Sequence, residues 1–179
     1  MSVVCFSHGQ ESGPWGTKIR ALADIARESG HEVESLDYQG MADPQARARK
    51  LTDWCRAQPV PAILVGSSMG GYVALAAASA VGAAGLFLMA PALYVPGYEA
   101  IALPPPPACR ITIVHGWRDD VLHWTGSTRY GELAAARVVL VPDDHRLVAD
   151  LAGLGWLFRL FLAELRDGVL PAPEDKEKQ

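Results

Sequence analysis

The sequence predicts a single-domain α/β protein: a three-layer sandwich with about six mostly parallel strands in one sheet and helices on both faces. Three observations predict it. Short apolar runs alternate along the chain with segments of helical period. Several of these runs are apolar throughout, as strands covered on both faces must be. The 179 residues, half of them apolar and a fifth charged, suit one domain around one core.

The elements follow in order. "VVCFS" (3–7) reads as a short buried strand. Residues 16–30 place Ile19, Leu22, Ala23, Ile25 and Ala26 on one helical face, with Gly30 as the stop. "EVESLDY" (32–38) alternates as a strand does. Residues 43–58 open with Asp43 as cap and Pro44 in the first turn of a helix. "AILVG" (62–66) is a buried strand, Met69 to about Val81 a helix, and "GLFLMA" (85–90) another buried strand. An irregular piece follows, in which Pro104–Pro107 forms a stiff surface connection. "RITIVHG" (110–116) is a strand, 123–135 a helix and "RVVLVP" (137–142) a strand. Arg146–Arg166 reads as an amphipathic helix, with Leu147, Leu151, Leu154, Phe158, Phe161 and Leu165 on one stripe. The right-handed crossover rule makes a doubly wound sheet the leading topology. The domain spans 1–168, and the charged, proline-flanked 169–179 is expected to be a flexible tail.

Composition narrows the function. A net charge of −4 gives no footprint for nucleic acid or a membrane surface. Cys5, Cys55 and Cys109 are odd in number and widely spaced, which favours reduced thiols over a disulfide framework or a zinc site. The N-terminus does not read as a signal peptide, and no apolar run is long enough for a membrane span. A cytoplasmic location is the expectation; a homodimer is allowed.

In doubly wound sheets, ligands bind beyond the carboxyl ends of the strands. Four post-strand segments meet there: Ser7-His8-Gly9-Gln10, Gly66-Ser67-Ser68-Met69-Gly70, His115 to Asp120, and Pro142-Asp143-Asp144-His145. Gly66-x-Ser68-x-Gly70, between a strand and a helix, fits a nucleophile elbow. Its small residues let flanking backbones approach while the turn lifts Ser68 above the sheet. Gly71 is expected to let the following helix sit tight on the sheet. The Met69 amide, at the helix N-terminus, is then free to bind an oxyanion.

A serine hydroxyl needs a base, and the base needs an orienting acceptor. His145 is the expected base, because it follows the last strand. His8 is better explained by the first loop and His31 by the opposite edge. His115 is expected to shape the turn it closes, and His123 has no evident partner. The acid is Asp119 or Asp120, with Asp119 favoured because Asp120 can cap the next segment. Asp143 and Asp144, adjacent to His145, rank below both. "SHGQESGPWGTK" lacks the spacing of a phosphate-binding loop. The Gln10 amide is the expected second oxyanion donor, with Glu11 or Ser12 as substitutes.

"SHGQ", "GSSMGG", "HGWRDDVL" and "DDHRL", spread over residues 7–147, resemble the α/β-hydrolase superfamily, and the serine–acid–histidine order is the one it uses. Its H-G-x-x-D acid loop carries over to Asp119. The chain also resembles the small, lidless bacterial members, because only about twenty residues separate Ala90 from Arg110. The resemblance implies a fold without a cap domain and an open site. Met69, Tyr94, Tyr98, Trp117 and Trp124 are candidates to wall it, with Tyr94, Trp117 and Trp124 expected to touch substrate. Gln10 stands where relatives often carry an apolar residue, which hints at a polar acyl group. The expectation is a serine hydrolase acting on a small-molecule ester or thioester through Ser68, His145 and Asp119, with no metal or organic cofactor required. The alternative is a non-catalytic ligand-binding or scaffold protein on the same fold.

Overall fold

A computed structural model describes residues 2–96 and 102–168. The elements run β1 (Val3–Ser7), α1 (Thr17–Glu28), β2 (Glu32–Leu36), α2 (Pro44–Arg56), β3 (Ile63–Ser67), α3 (Met69–Val81), β4 (Gly85–Met89), β5 (Arg110–Gly116), α4 (Thr125–Ala134), β6 (Arg137–Val141) and α5 (Leu151–Arg166). The strands form one sheet in the order β2-β1-β3-β4-β5-β6, and all five pairings are parallel. From β1 the chain steps outward to β2, returns past β1 to β3, and then runs the other way. The gap beyond the carboxyl ends of β1 and β3 is therefore the switch point at which a ligand crevice opens.

Alternate strand residues feed two cores, as a pleat of period two requires. Val4, Phe6, Val65, Phe87 and Met89 pack with Leu22 of α1 and Phe158 and Phe161 of α5. Cys5, Leu64, Leu86, Leu88 and Ile113 pack on the other face with Leu51 of α2, Val73 and Leu75 of α3, and Tyr130 of α4. Phe87 meets Phe158 edge-on, with ring centroids 5.1 Å apart. Cys5 and Cys55 are buried and Cys109 is half-buried; all three are free thiols. Among the described residues, no helix is long and apolar enough to cross a membrane.

Local signals work where they were expected. The Asp43 side chain accepts from the Gln45 amide at the start of α2, and Gly30 takes a left-handed φ of 84° after α1. The last helix differs from the sequence expectation. It begins at Leu151, not Arg146, capped by Asp150, whose side chain accepts from the Gly153 amide. Leu147, in phase with the helical stripe, sits in a turn at φ 52° and still reaches the core. Asp143 and Asp144 win the competition for this backbone by accepting from the Ala149 and Arg146 amides. α4 likewise starts two residues later than expected. Tyr98 and the expected tail at 169–179 lie outside the described residues.

Candidate active site

Ser68 joins β3 to α3 at φ 56° and ψ −123°, a backbone conformation that costs a non-glycine residue roughly 1–3 kcal/mol. The surroundings over-determine it. The Ser68 amide donates to the Met89 carbonyl at 3.0 Å, and its carbonyl accepts from the Gly71 and Ala92 amides, each at 2.9 Å. A Cβ at Gly66 would lie 2.7 Å from the Gly71 Cα, and one at Gly70 would collide with the Ser7 carbonyl oxygen. The smallness of Gly71 serves Pro91, just after β4, rather than the sheet itself.

The Ser68 hydroxyl lies 3.0 Å from His145 Nε2, and His145 Nδ1 lies 2.7 Å from Asp119 Oδ2. Because a carboxylate only accepts, His145 donates from Nδ1 and leaves Nε2 free to accept from Ser68. Asp119 is fully buried in its side chain, while His145 is partly open. The other Asp119 oxygen accepts from the Val121 and Leu122 amides at 2.9 and 2.8 Å. Burial works to raise the Asp119 carboxyl. The Leu122 amide, the His145 ring and the Val121 amide more than offset it, so the group sits below its ordinary value. Asp120 is exposed, and Asp143 and Asp144 serve their own loop.

His115 does more than close its strand. Its Nε2 lies 2.9 Å from both Asp119 Oδ2 and the Leu122 carbonyl, so it donates there, and its Nδ1 accepts from the buried Ser127 hydroxyl at 2.7 Å. Burial holds this imidazole below its ordinary pKa, with the Leu122 carbonyl and Asp119 opposing. Asp119 Oδ2 thus receives two imidazole N–H groups. The loops that carry Asp119 and His145 are also tied directly: Arg118 donates to the Pro142 carbonyl at 2.7 Å. Lys18, from α1, donates to the Arg146 carbonyl at 3.0 Å.

Beside Ser68, the Met69 and Gln10 amides have no hydrogen-bond acceptor among the described residues. The Gly9 carbonyl accepts from His8 Nδ1 at 2.7 Å and from Arg47 Nη1 at 3.2 Å. In a trans peptide the C=O and the following N–H point in opposite directions. Fixing the Gly9 carbonyl therefore turns the Gln10 amide away from Arg47, on the loop that borders the cleft. His8 Nε2 accepts from the Tyr38 amide at 2.8 Å, which sets the tautomer. Arg47 is only 2% exposed and also donates to the Met41 carbonyl. Sequence reasoning missed it. The available signal was a charge in phase with the buried face of α2, which is Pro44, Arg47, Leu51 and Cys55.

A cleft of about 620 Å³ borders Ser68, Met69 and Gln10 and is walled by Tyr72, Tyr94 and Leu122 among others. Trp117 and Trp124, expected to touch substrate, do not line it. Trp117 is exposed at the end of β5, and Trp124 stacks on His123 at the start of α4. Trp117 donates its amide to Val141, which commits its backbone to the β5–β6 edge. Among the described residues, no cluster of three or more His, Cys, Asp or Glu side chains is arranged to hold a metal.

Comparison with solved structures agrees with this architecture. A candidate hydrolase of the α/β superfamily from Xanthomonas campestris superposes with a TM-score of 0.84 at 29% identity, covering 92% of this chain and 99% of that one. Est1E from Butyrivibrio proteoclasticus superposes at 0.80 with 16% identity, over 93% and 88% of the two chains. An α/β serine hydrolase without a lid, also from Xanthomonas campestris, superposes at 0.67 with 22% identity, over 96% and 84%. The protein has the α/β-hydrolase fold in the form without a cap domain. It belongs to an uncharacterised protein family, UPF0227, whose sequence pattern matches residues 3–99. No curated protein matches it in sequence.

Proposed function

We propose that the protein is a serine hydrolase that cleaves a carboxylic ester or thioester through an acyl-enzyme. One observation carries this reading: the hydrogen-bonded line from Ser68 through His145 to Asp119, at distances of 3.0 and 2.7 Å, beside a largely apolar cleft. Ser68 Oγ attacks the carbonyl carbon while His145 Nε2 takes its proton. The carbonyl oxygen becomes an oxyanion, held by the Met69 and Gln10 amides, each worth roughly 3 kcal/mol to the transition state. The tetrahedral intermediate collapses, and His145 returns the proton to the departing alkoxide or thiolate. A water, deprotonated by the same imidazole, then attacks the acyl-serine and releases the acid and free Ser68. Asp119 keeps the imidazole in the accepting tautomer and stabilises the imidazolium that forms twice in the cycle. Apart from substrate and water, every group these steps need is a side chain or amide of this chain, so the mechanism calls for no metal or organic cofactor.

Stopped-flow turnover of 4-nitrophenyl butyrate and of a butyryl thioester tests the reading. A pre-steady-state burst approaching one equivalent is expected where deacylation limits the rate. Ser68→Ala should keep the wild-type circular dichroism and lose at least about 10³-fold in kcat/KM. Equal turnover by wild type and Ser68→Ala would contradict it.

A further inference from the structure

The described walls of the cleft are mostly apolar. Among the described residues that line it, Arg129 alone carries a charge. It stands on α4, with its guanidinium carbon 4.1 Å from the centroid of the Tyr94 ring. That stacking holds a flat cation in place while leaving the N–H groups at its edge available. Several arginines elsewhere are ion-paired, as where Arg110 and Arg137 share Glu164 and Arg159 meets Glu28, and Arg118 donates to the Pro142 carbonyl. Arg129 makes no ion pair among the described residues. The protein as a whole is negative, at −4, so this cation is a local exception in the cleft that also holds Ser68. Arg129 is exposed, so salt screens its pull on an anion.

We propose that the substrate is an anionic ester, with an apolar portion seated in the cleft and a carboxylate held by Arg129. This deepens the hydrolase reading and rests on it. The guanidinium offers two parallel donors to a carboxylate, which gives direction as well as charge. Tyr72, Tyr94 and Leu122 supply the apolar contact. A neutral ester of the same length fills the same walls and leaves the guanidinium to water.

The test compares each anionic ester with its methyl ester, which removes the charge and adds one methyl group. 4-Nitrophenyl hydrogen adipate against its methyl ester places the anion on the acyl side, and 4-acetoxybenzoate against methyl 4-acetoxybenzoate places it on the leaving group. In at least one arm, the anionic-to-neutral ratio of kcat/KM should exceed that of Arg129→Met by about 10- to 100-fold, as for a charge-assisted hydrogen bond. Arg129→Lys should keep part of the ratio, and about 1 M salt should shrink it. The arm that shows the preference tells on which side of the ester the charge sits. Ratios equal in wild type and Arg129→Met in both arms would overturn the inference while leaving the hydrolase reading intact. If no ester is turned over, the hydrolase reading fails, and calorimetry on Ser68→Ala decides this one. Tighter binding of monomethyl adipate than dimethyl adipate, lost on adding Arg129→Met, supports it; equal binding overturns it.

Discussion

The two halves of the site are built by different means. The Ser68 half, after β1 and β3, is held by backbone: Ser68 is fixed by three main-chain hydrogen bonds and by glycines that let strands and helix touch. The Asp119–His145 half, after β5 and β6, is held by side chains: His115, Arg118, Lys18 and Asp143 pin two loops that have no regular structure of their own. The first arrangement stores strain and tolerates no added atom. The second tolerates substitution piece by piece, because each hydrogen bond contributes only about 1 kcal/mol.

Breaking the backbone half should have the largest effect. Gly70→Ala drives a methyl group into the Ser7 carbonyl, so we expect a loss of about 3–5 kcal/mol and a melting temperature about 10 °C lower, read by thermal unfolding. A melting temperature within 2–3 °C of wild type, on the same scale of about 2–4 °C per kcal/mol, would show that the close approach is not structural.

Asp119→Asn attacks the other half and should leave the fold standing. Hydrolysis should fall about 10³- to 10⁴-fold, because an amide NH₂ favours the wrong imidazole tautomer. The same variant has a pH signature. The Asp119 carboxyl titrates below its ordinary value, so its ionised form stabilises the fold fully above about pH 4, and that contribution is lost as pH falls through the depressed value. The melting-temperature gap between wild type and Asp119→Asn should therefore shrink between pH 5 and pH 3. A gap constant over that range would remove the ionised carboxylate from the account.

Arg47 sharpens the comparison, since it is a side chain acting on the backbone half. Arg47→Met removes one of the two donors to the Gly9 carbonyl, leaving only His8 Nδ1, and so loosens the Gln10 amide. We expect kcat to drop about tenfold or more with KM little changed, and Arg47→Lys to recover part of it. A rise in KM alone would mean that Arg47 shapes the cleft instead of the oxyanion donor. The smallest effect concerns strain. Ser68→Gly should raise stability by about 1 kcal/mol, net of the entropy glycine adds to the unfolded chain. No gain would mean the φ of 56° costs the serine little.

This division also explains what could be read from the sequence. The backbone half announces itself locally: Gly66, Ser68 and Gly70 are close in sequence because they are close in space. Its strands and helices alternate with a period the composition displays. The side-chain half depends on contacts across many residues. Local pattern favours Asp119 over Asp120 only weakly; the Asp119 amide turns back to the Gly116 carbonyl, and that bend decides which carboxylate faces His145. Leu147 keeps helical phase while its backbone follows Asp143 and Asp144 into a turn. Arg47 reaches Gly9 across 38 residues. Trp117 and Trp124 were expected at the cleft, but Trp117 is exposed at the end of β5 and Trp124 stacks on His123, while Leu122 lines the wall.

The central claim is that Ser68 is a nucleophile activated by His145 and served by an oxyanion site. Intact-mass analysis after incubation with a fluorophosphonate tests it most directly, because the reagent phosphonylates a serine only where base and oxyanion donors act together. The account predicts a single adduct on the wild type, none on Ser68→Ala and much slower labelling of Asp119→Asn. An unlabelled, well-folded wild type, or equal labelling of Ser68→Ala, would contradict it.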